Sequence, residues 1–320
     1  MIDFKHKSVL YDEVLKNLCV RQGGIYIDAT IGGAGHSLGI AKELKNTGML
    51  IGIDQDENAL KKSNEVLKNY TNVKLFKSNY REFEKILDSL EIEKVDGVLL
   101  DLGVSSYQLD NEERGFSYRF NAKLDMRMDT DSDFTAWDIV NTYSEEVLAK
   151  IIRDYGEDIW AKRIANIIVK EREYKPIDTT FELVDLIKKA IPKAARKDGP
   201  HPAKRTFQAL RIEVNHELDV LRDSVYKFVR RLNPGGRIAI ISFHSLEDRI
   251  VKNAFKYLYS DCICPPKQII CTCSKEREIK IITRKPITPS EEEIIENNRS
   301  HSAKLRVAEK LEVRYGKNTN

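Results

Sequence analysis

By residue type and spacing, the loop Ile31-Gly-Gly-Ala-Gly-His36 and the carboxylates Asp54 and Asp101 are the groups in this 320-residue chain best suited to chemistry. Glycines let a backbone turn tightly and approach a ligand, and a following helix offers its N-terminus to negative charge. Asp54 stands nineteen residues beyond Gly35. A carboxylate ending a second strand is suited to the two ribose hydroxyls of an adenosine cofactor. Taken alone, the loop fits a structural turn or a dinucleotide site as well as it fits an adenosine-cofactor site of another kind. Two details point away from a dinucleotide. A dinucleotide fingerprint wants a third glycine at position 38, where this chain has Leu38, and Gly39 comes one residue late. Asn79-Tyr80 follows a third strand, where an amide and an aromatic ring can pair with and stack on adenine. Asp101-Leu-Gly-Val-Ser-Ser106 ends a fourth strand, where a methyl donor would meet its acceptor.

These residues need strands to carry them. Strand signals at 24–30, 48–54, 73–76 and 96–101 alternate with helix signals from the glycine loop to about Lys45, at 57–69 and at 80–90. That alternation predicts a parallel sheet covered on both faces. From about Ser105 to Asn215 only helical periods and loops appear. The rhythm resumes with a helix at 217–232, ended by Asn233-Pro-Gly-Gly236 (the usual lead-in to the fifth strand of a methyltransferase of this class), and a strand at 237–242. A helix at 246–259, a cysteine loop, and strand candidates at 280–283 and 304–308 complete the pattern. The expected architecture is α/β, a Rossmann-like domain of residues 1–104 and 214–320. A helical domain of residues 105–213 is inserted for substrate recognition.

A net charge of +3 with 32% charged and 41% hydrophobic residues reads as soluble and globular, and is too small to identify a nucleic-acid partner. Charges near the N-terminus and strand-sized apolar runs predict no secretory peptide and no membrane span. Five cysteines in so long a chain do not make a disulfide framework, and a cytoplasmic protein is expected.

The chain resembles the ribosomal small-subunit RNA cytidine N(4)-methyltransferases, the RsmH or MraW family. The resemblance lies in His6-Lys-Ser-Val-Leu-Tyr-Asp-Glu-Val14, Asp28 to Ser37, Leu100 to Asp110, Arg114-Gly-Phe-Ser117 and Leu124-Asp-Met-Arg-Met-Asp129. It continues in Pro202-Ala-Lys-Arg-Thr-Phe-Gln-Ala-Leu-Arg211, Ser242-Phe-His-Ser-Leu-Glu-Asp-Arg-Ile250 and Ser302-Ala-Lys-Leu-Arg-Val-Ala308. These stretches span nearly the whole chain in the family's order. Many members have Pro at Ser8 and several have Gly at Ala34; neither change removes a polar contact. The resemblance implies S-adenosylmethionine as cofactor, contacted by Ala34, Gly35, His36, Asp54, Tyr80, Asp101 and Gln108. Gln108 comes from the resemblance alone. It further implies methylation of the 4-amino nitrogen of a cytidine in the decoding region, within an assembled or assembling small subunit.

For catalysis the candidates are Asp101 and His244. Asp101 either accepts a proton from the amine or holds the methionine amine of the cofactor, and the resemblance favours the second role. His36 and His244 each also read as ordinary polar residues satisfied locally. For RNA, residues 188–211 hold Lys188, Lys189, Lys193, Arg196, Lys197, Lys204, Arg205 and Arg211. Eight positive side chains less one acid, Asp198, leave +7. With Gly199-Pro-His-Pro202 breaking any helix, the cluster is expected on a loop facing phosphate, the other reading being a solvated helix face. Phe116, Tyr118, Phe120 and Phe207 either stack on bases or pack the core of the insertion. Cys262, Cys264, Cys271 and Cys273 either hold a tetrahedral zinc or form a reduced surface loop, and C-x-C is less typical of zinc than C-x-x-C. No metal is assigned to the active site, and Cys19 is expected in the core. The sequence leaves a homodimer open.

Three other functions fit parts of the pattern. A DNA or protein methyltransferase shares the cofactor site, but the Asn/Asp-Pro-Pro-aromatic signature common in amino-methylating DNA enzymes is absent at Asp101-Leu-Gly-Val104. A non-catalytic RNA-binding module would not need the full set of loop, ribose and strand-four residues. An NAD oxidoreductase is disfavoured by Leu38.

Overall fold

The computed structural model describes residues 8–197, 201–266, 268 and 270–312. The first two residues of the His6–Val14 stretch, together with Asp198, Gly199 and Pro200 of the basic segment, lie outside them. The chain divides into two compact units, one ending at Gly103 and resuming at Leu218, the other running from Val104 to Glu217. Sequence periodicity put these divisions at 104/105 and 213/214.

In the first unit, α1 (Tyr11–Leu18) precedes β1 (Ile25–Asp28), α2 (Gly35–Leu44), β2 (Met49–Asp54), α3 (Glu57–Leu67), β3 (Val73–Lys77), α4 (Phe83–Ser89) and β4 (Val95–Asp101). Asp56 caps α3 by accepting from the Asn58 N–H at 3.0 Å. One helix was expected over 80–90. Instead Tyr80–Glu82 form a 3₁₀ turn, because Asn79 caps it by accepting from the Arg81 N–H, and α4 starts only at Phe83.

The second unit is helical: α5 (Ser106–Asp110), α6 (Ala136–Thr142), α7 (Glu145–Asp154), α8 (Ala161–Arg172), α9 (Thr180–Ala190) and α10 (Lys204–Asn215). Reciprocal capping pairs Ser105/Gln108, Thr135/Asp138 and Thr179/Glu182 start α5, α6 and α9. Its core joins Ile139, Leu148, Ile152, Ile164, Ile168, Leu183 and Ile187. Among the described residues it has no strand beyond the isolated bridge Lys123–Thr179.

The chain returns through α11 (Glu217–Arg230), β5 (Leu232–Ser242), α12 (Ser245–Tyr259), β6 (Ile279–Ile281), α13 (Glu291–Glu296) and β7 (Lys304–Lys310). The strands form one sheet of order β3-β2-β1-β4-β5-β7-β6. The first five are parallel, and β7 runs antiparallel to both its neighbours. Near-continuous apolar strands are the mark of a sheet buried on both faces. Alternation sends Ile51, Ile53, Val98, Leu100, Ile238 and Ile240 to one face, under α4, α11 and α12. Leu50, Leu99, Ala239 and Ile241 go to the other, under α1, α2 and α3. Asn233-Pro-Gly-Gly236 was expected to end the helix before the strand. It lies inside β5 as a bulge, since Val95 pairs with Leu232 and Gly97 next pairs with Arg237. A second correction concerns Cys19, which is exposed, its sulfur 2.8 Å from a nitrogen of Arg237. It ends α1 in the left-handed region, at φ 53°, so its side chain projects beyond the helix face that carries Val14 and Leu18 into the core.

Candidate functional site

Parallel pairing brings the carboxyl ends of β1, β2 and β4 side by side, and each ends in an aspartate: Asp28, Asp54 and Asp101. Ligands of open α/β sheets bind at such strand ends. The glycine loop spans the gap between β1 and α2 over the same edge. Gly32 takes φ +51°, and Ala34, at φ 63°, is the left-handed residue from which α2 starts. A side chain on Gly33 would meet open space, while one on Gly35 would lie 1.9 Å from the Ser8 hydroxyl oxygen. Gly33 thus leaves the loop face clear for a ligand. Gly35 is needed at least as much for packing against Ser8.

Asp54 organises that loop. Its Oδ2 accepts from the Gly32 N–H and its Oδ1 from the Asp56 N–H, both at 2.9 Å. Each oxygen keeps lone-pair capacity for a further donor. Burial pushes its carboxyl up to about 6, against the lowering effect of those amides.

Asp28, which sequence reasoning did not single out, is 2% exposed. It accepts from the Ser37 hydroxyl at 2.7 Å and from the Thr30 N–H at 3.3 Å, tying the loop to the first turn of α2. Burial raises its carboxyl to about 6. The available signal was an acid closing the apolar run Ile-Tyr-Ile.

Asp101 is the most perturbed acid of the group. Burial, then the negative charges of Asp28 and Glu247, push it up to about 8. The Thr30 hydroxyl oxygen fixes its backbone by accepting from the Asp101 N–H at 2.6 Å. Its Oδ1 is enclosed without a hydrogen-bond partner, although the side chain as a whole is 28% exposed. A buried acceptor without a donor is a site prepared for one.

His36 stands beside it. Burial brings the imidazole down to about 4, so it is neutral. Nε2 lies 3.0 Å from the Val9 carbonyl oxygen, which can only accept, so Nε2 carries the proton and Nδ1 is an acceptor. The ring stacks at 6.1 Å on Tyr11. His36 is therefore held by α1 and the segment before it, and does not reach the loop's open side as a donor.

Tyr80 packs its ring at 6.4 Å against Phe228 of α11. Asn79, expected to read adenine, has its amide engaged locally: Oδ1 accepts from Arg81 and Nδ2 donates to Gln55 at 3.0 Å. His244 begins α12. Its Nε2 lies 3.1 Å from Oε1 of Glu247, without hydrogen-bond alignment, and Glu247 is 2% exposed. Oε2 of Glu247 accepts from the N–H groups of Phe243 and His244 at 2.8 and 3.3 Å. The sequence reading passed over this buried acid; its signal was a carboxylate at the third helical position. Gln108 belongs to the other unit, where its Oε1 accepts from the Ser105 N–H at 3.0 Å.

The basic residues of the second unit divide into two kinds. Lys188 and Lys189 end α9 and pair with Asp185 and Glu171. Arg211 is not available to a ligand in the same way, because Glu217 takes its guanidinium through two contacts of 2.8 and 2.9 Å. Lys204 and Arg205 are exposed in the first turn of α10, so they stand on a helix, not the expected loop. Phe116 and Phe207 are buried in the core of this unit. Tyr118 stacks on His201 with centroids 4.4 Å apart.

A sheet of this order with its one reversed strand at β7, a glycine loop after β1 and an acid closing β2 define a Rossmann-like methyltransferase. The chain belongs to the MraW methylase family, whose profile matches residues 3–311. It is 60% identical to the ribosomal RNA small subunit methyltransferase H of Clostridioides difficile, over 97% of this chain and 100% of that protein. The protein of the same name from Lachnospira eligens is 55% identical, over 97% of this chain and 99% of its own length. The cofactor is S-adenosyl-L-methionine. The residues present fit it: an open loop face at Gly33, an acid with spare acceptor capacity at Asp54, and an enclosed unpartnered oxygen at Asp101.

Proposed function

We propose that this chain methylates the 4-amino nitrogen of a cytidine in the decoding region of small-subunit ribosomal RNA, within an assembled or assembling subunit. The observation that carries the reading is the full-length likeness to ribosomal RNA small subunit methyltransferases, at 60% identity for the Clostridioides difficile protein. S-adenosylmethionine supplies an electrophilic methyl group when bound. Asp54 and the loop at Ala34 and Gly35 hold the nucleoside part, with Tyr80 beside the base. Asp101 receives the amino group of the methionine part. In the second unit, the exposed Lys204 and Arg205 meet phosphate.

The 4-amino nitrogen of cytosine is a poor nucleophile, because its lone pair is delocalised into the ring. The target base must leave any stack and be held in line. Acceptors aimed at its amine hydrogens stabilise the positive charge that develops there. With Asp101 holding the methionine amine, His244, backed by Glu247, is the candidate for that acceptor; Asp101 is the candidate in the competing reading, in which it acts on the transferred group.

The test uses labelled S-adenosylmethionine and small subunits from a strain lacking the enzyme, with the label mapped by nuclease digestion and mass spectrometry. Label on the 4-amino group of one decoding-region cytidine is the expected result. Label on another base, on DNA or on protein would replace the substrate. Cofactor and RNA binding without label would make the chain a binding module.

A further inference from the structure

Cys262, Cys264, Cys271 and Cys273 have no part in the roles assigned above. They lie in the loop between α12 and β6, where the described isoleucines Ile263 and Ile270 are 50% and 75% exposed. Yet the four sulfurs converge. Cys271 Sγ is 3.6 Å from both Cys262 Sγ and Cys273 Sγ. The separations Cys264–Cys271 and Cys262–Cys273 are both 3.9 Å. All four sulfurs lie within 4.8 Å of one another.

These distances discriminate. A disulfide needs its sulfurs about 2.05 Å apart, so no pair here is bonded. Four sulfurs at the corners of a tetrahedron around an ion, each about 2.3 Å from it, are about 3.8 Å apart along every edge. The observed 3.6–3.9 Å straddles that edge length. Backbone amides also point at the sulfurs. Ile263 N–H donates to Cys273, Cys264 N–H to Cys262 and Thr272 N–H to Cys264, each at 3.4 Å. Such donors stabilise thiolates and fix their directions, as outer-shell partners do around metals. Four neutral thiols on an exposed loop have no comparable reason to gather.

We propose that Cys262, Cys264, Cys271 and Cys273 bind a structural zinc ion that clamps the loop between α12 and β6. An all-sulfur tetrahedral set suits zinc or iron, and zinc binds such sites more tightly than ferrous iron. Binding deprotonates the thiols, and their protons pass to solvent. All four protein ligands close the coordination sphere, so the ion has no open position for substrate and supplies folding energy locally.

The test measures metal in the full-length chain purified under reducing conditions. One zinc per chain is expected in the wild type and in Cys19→Ser, which removes the cysteine outside the cluster. None is expected in Cys264→Ser or Cys271→Ser. Chelator-stripped wild type titrated with cobalt(II) should give the thiolate charge-transfer and tetrahedral ligand-field bands, saturating at one equivalent and bleached by zinc. Limited proteolysis should cut the 262–273 loop faster in the serine variants, while circular dichroism keeps the wild-type helix content. Five titratable free thiols, those of the loop together with Cys19, with no stoichiometric metal and no cobalt spectrum would overturn the proposal. So would a mass lowered by two hydrogens per disulfide, or iron in place of zinc.

Discussion

Nδ1 of His36 faces Oδ2 of Asp101 at 3.7 Å, too far for a hydrogen bond. With Nε2 committed to the Val9 carbonyl, Nδ1 has only a lone pair to offer, so the histidine does not neutralise the carboxylate. Asp101 therefore waits in two senses: burial, with no neighbouring cation among the described residues to compensate its ionised form, keeps the carboxyl protonated up to about 8, and its Oδ1 is unpartnered.

That relationship gives a pH signature. Asp101 titrates near 3.8 when unfolded and near about 8 when folded, so the folded state holds the proton more tightly between those values. Stability must fall as pH rises through that window and level off above it. Asp28 and Asp54, raised to about 6, act in the same direction only at lower pH. His36, lowered to about 4, acts oppositely and is finished above 6.5. Between pH 6.5 and 8.5 Asp101 alone of the four titrates. Urea unfolding without cofactor should show the wild type losing about 1–2 kcal/mol relative to Asp101→Asn across that interval. Asp101→Asn should lack that fall, so the wild-type-minus-variant difference isolates Asp101 from every other group that titrates in the window.

Cofactor affinity should move the other way. In the proposed function the cationic amine of S-adenosylmethionine meets Asp101 and favours its ionised form, so binding should release a proton below about pH 8. Calorimetry should find affinity rising by up to about tenfold per pH unit toward that value, then falling as the cofactor's own α-amino group loses its proton at about pH 8. Asp101→Asn should lose that rise. If it also loses turnover by orders of magnitude at saturating cofactor, Asp101 acts on the transferred group as well. Rescue by excess cofactor would leave it a binding residue and turn attention to His244→Ala.

Asp54→Ala should weaken S-adenosylmethionine binding by about 1.5–3 kcal/mol, measured by calorimetry, because in the proposed function it removes a charge-assisted hydrogen bond to the ribose. The Gly32 and Asp56 amides lose their acceptor too, so a smaller fall in thermal stability should accompany it. Unchanged affinity would remove Asp54 from the site, and binding of NADH would reopen a redox function.

In the second unit, Lys204→Glu with Arg205→Glu should weaken RNA binding and leave cofactor affinity unchanged. The salt dependence should flatten by about one unit of slope for each phosphate no longer neutralised. Arg211→Ala should behave differently. It leaves Glu217 without its bidentate partner at two one-tenth to one-sixth exposed positions, so stability falls by about 1–3 kcal/mol in chemical denaturation. Equal RNA affinity for the wild type and the double variant at several salt concentrations would reduce Lys204 and Arg205 to a solvated face.

Gly48→Ala probes the entry to β2. Gly48 sits at φ +70°, and an added Cβ would lie 2.1 Å from the Gly24 carbonyl oxygen, an atom of backbone that cannot swing aside. A loss of at least about 1–3 kcal/mol is expected from the strained backbone alone, read as a lowered denaturant midpoint.

The sequence by itself determined the strands that carry the chemistry. Apolar runs ending in Asp28, Asp54 and Asp101, separated by helix-length segments, admit little besides a parallel sheet with those acids on one edge. The full-length order of motifs determined the family. Tertiary structure decided what each side chain does there. Burial, which no local pattern reports, makes Asp101 an uncompensated acid, keeps His36 neutral and turns Asp28 and Glu247 into parts of the scaffold. Pairing across the fold likewise engaged Arg211 with Glu217, put Asn233–Gly236 into a bulge and left Cys19 exposed. The cysteine pairs show the division most plainly. Two C-x-C pairs seven residues apart leave zinc and a reduced loop both open, because spacing fixes only how far sulfurs can reach. The path of the loop between α12 and β6 brings all four within 4.8 Å, and that convergence is a property of the folded backbone alone.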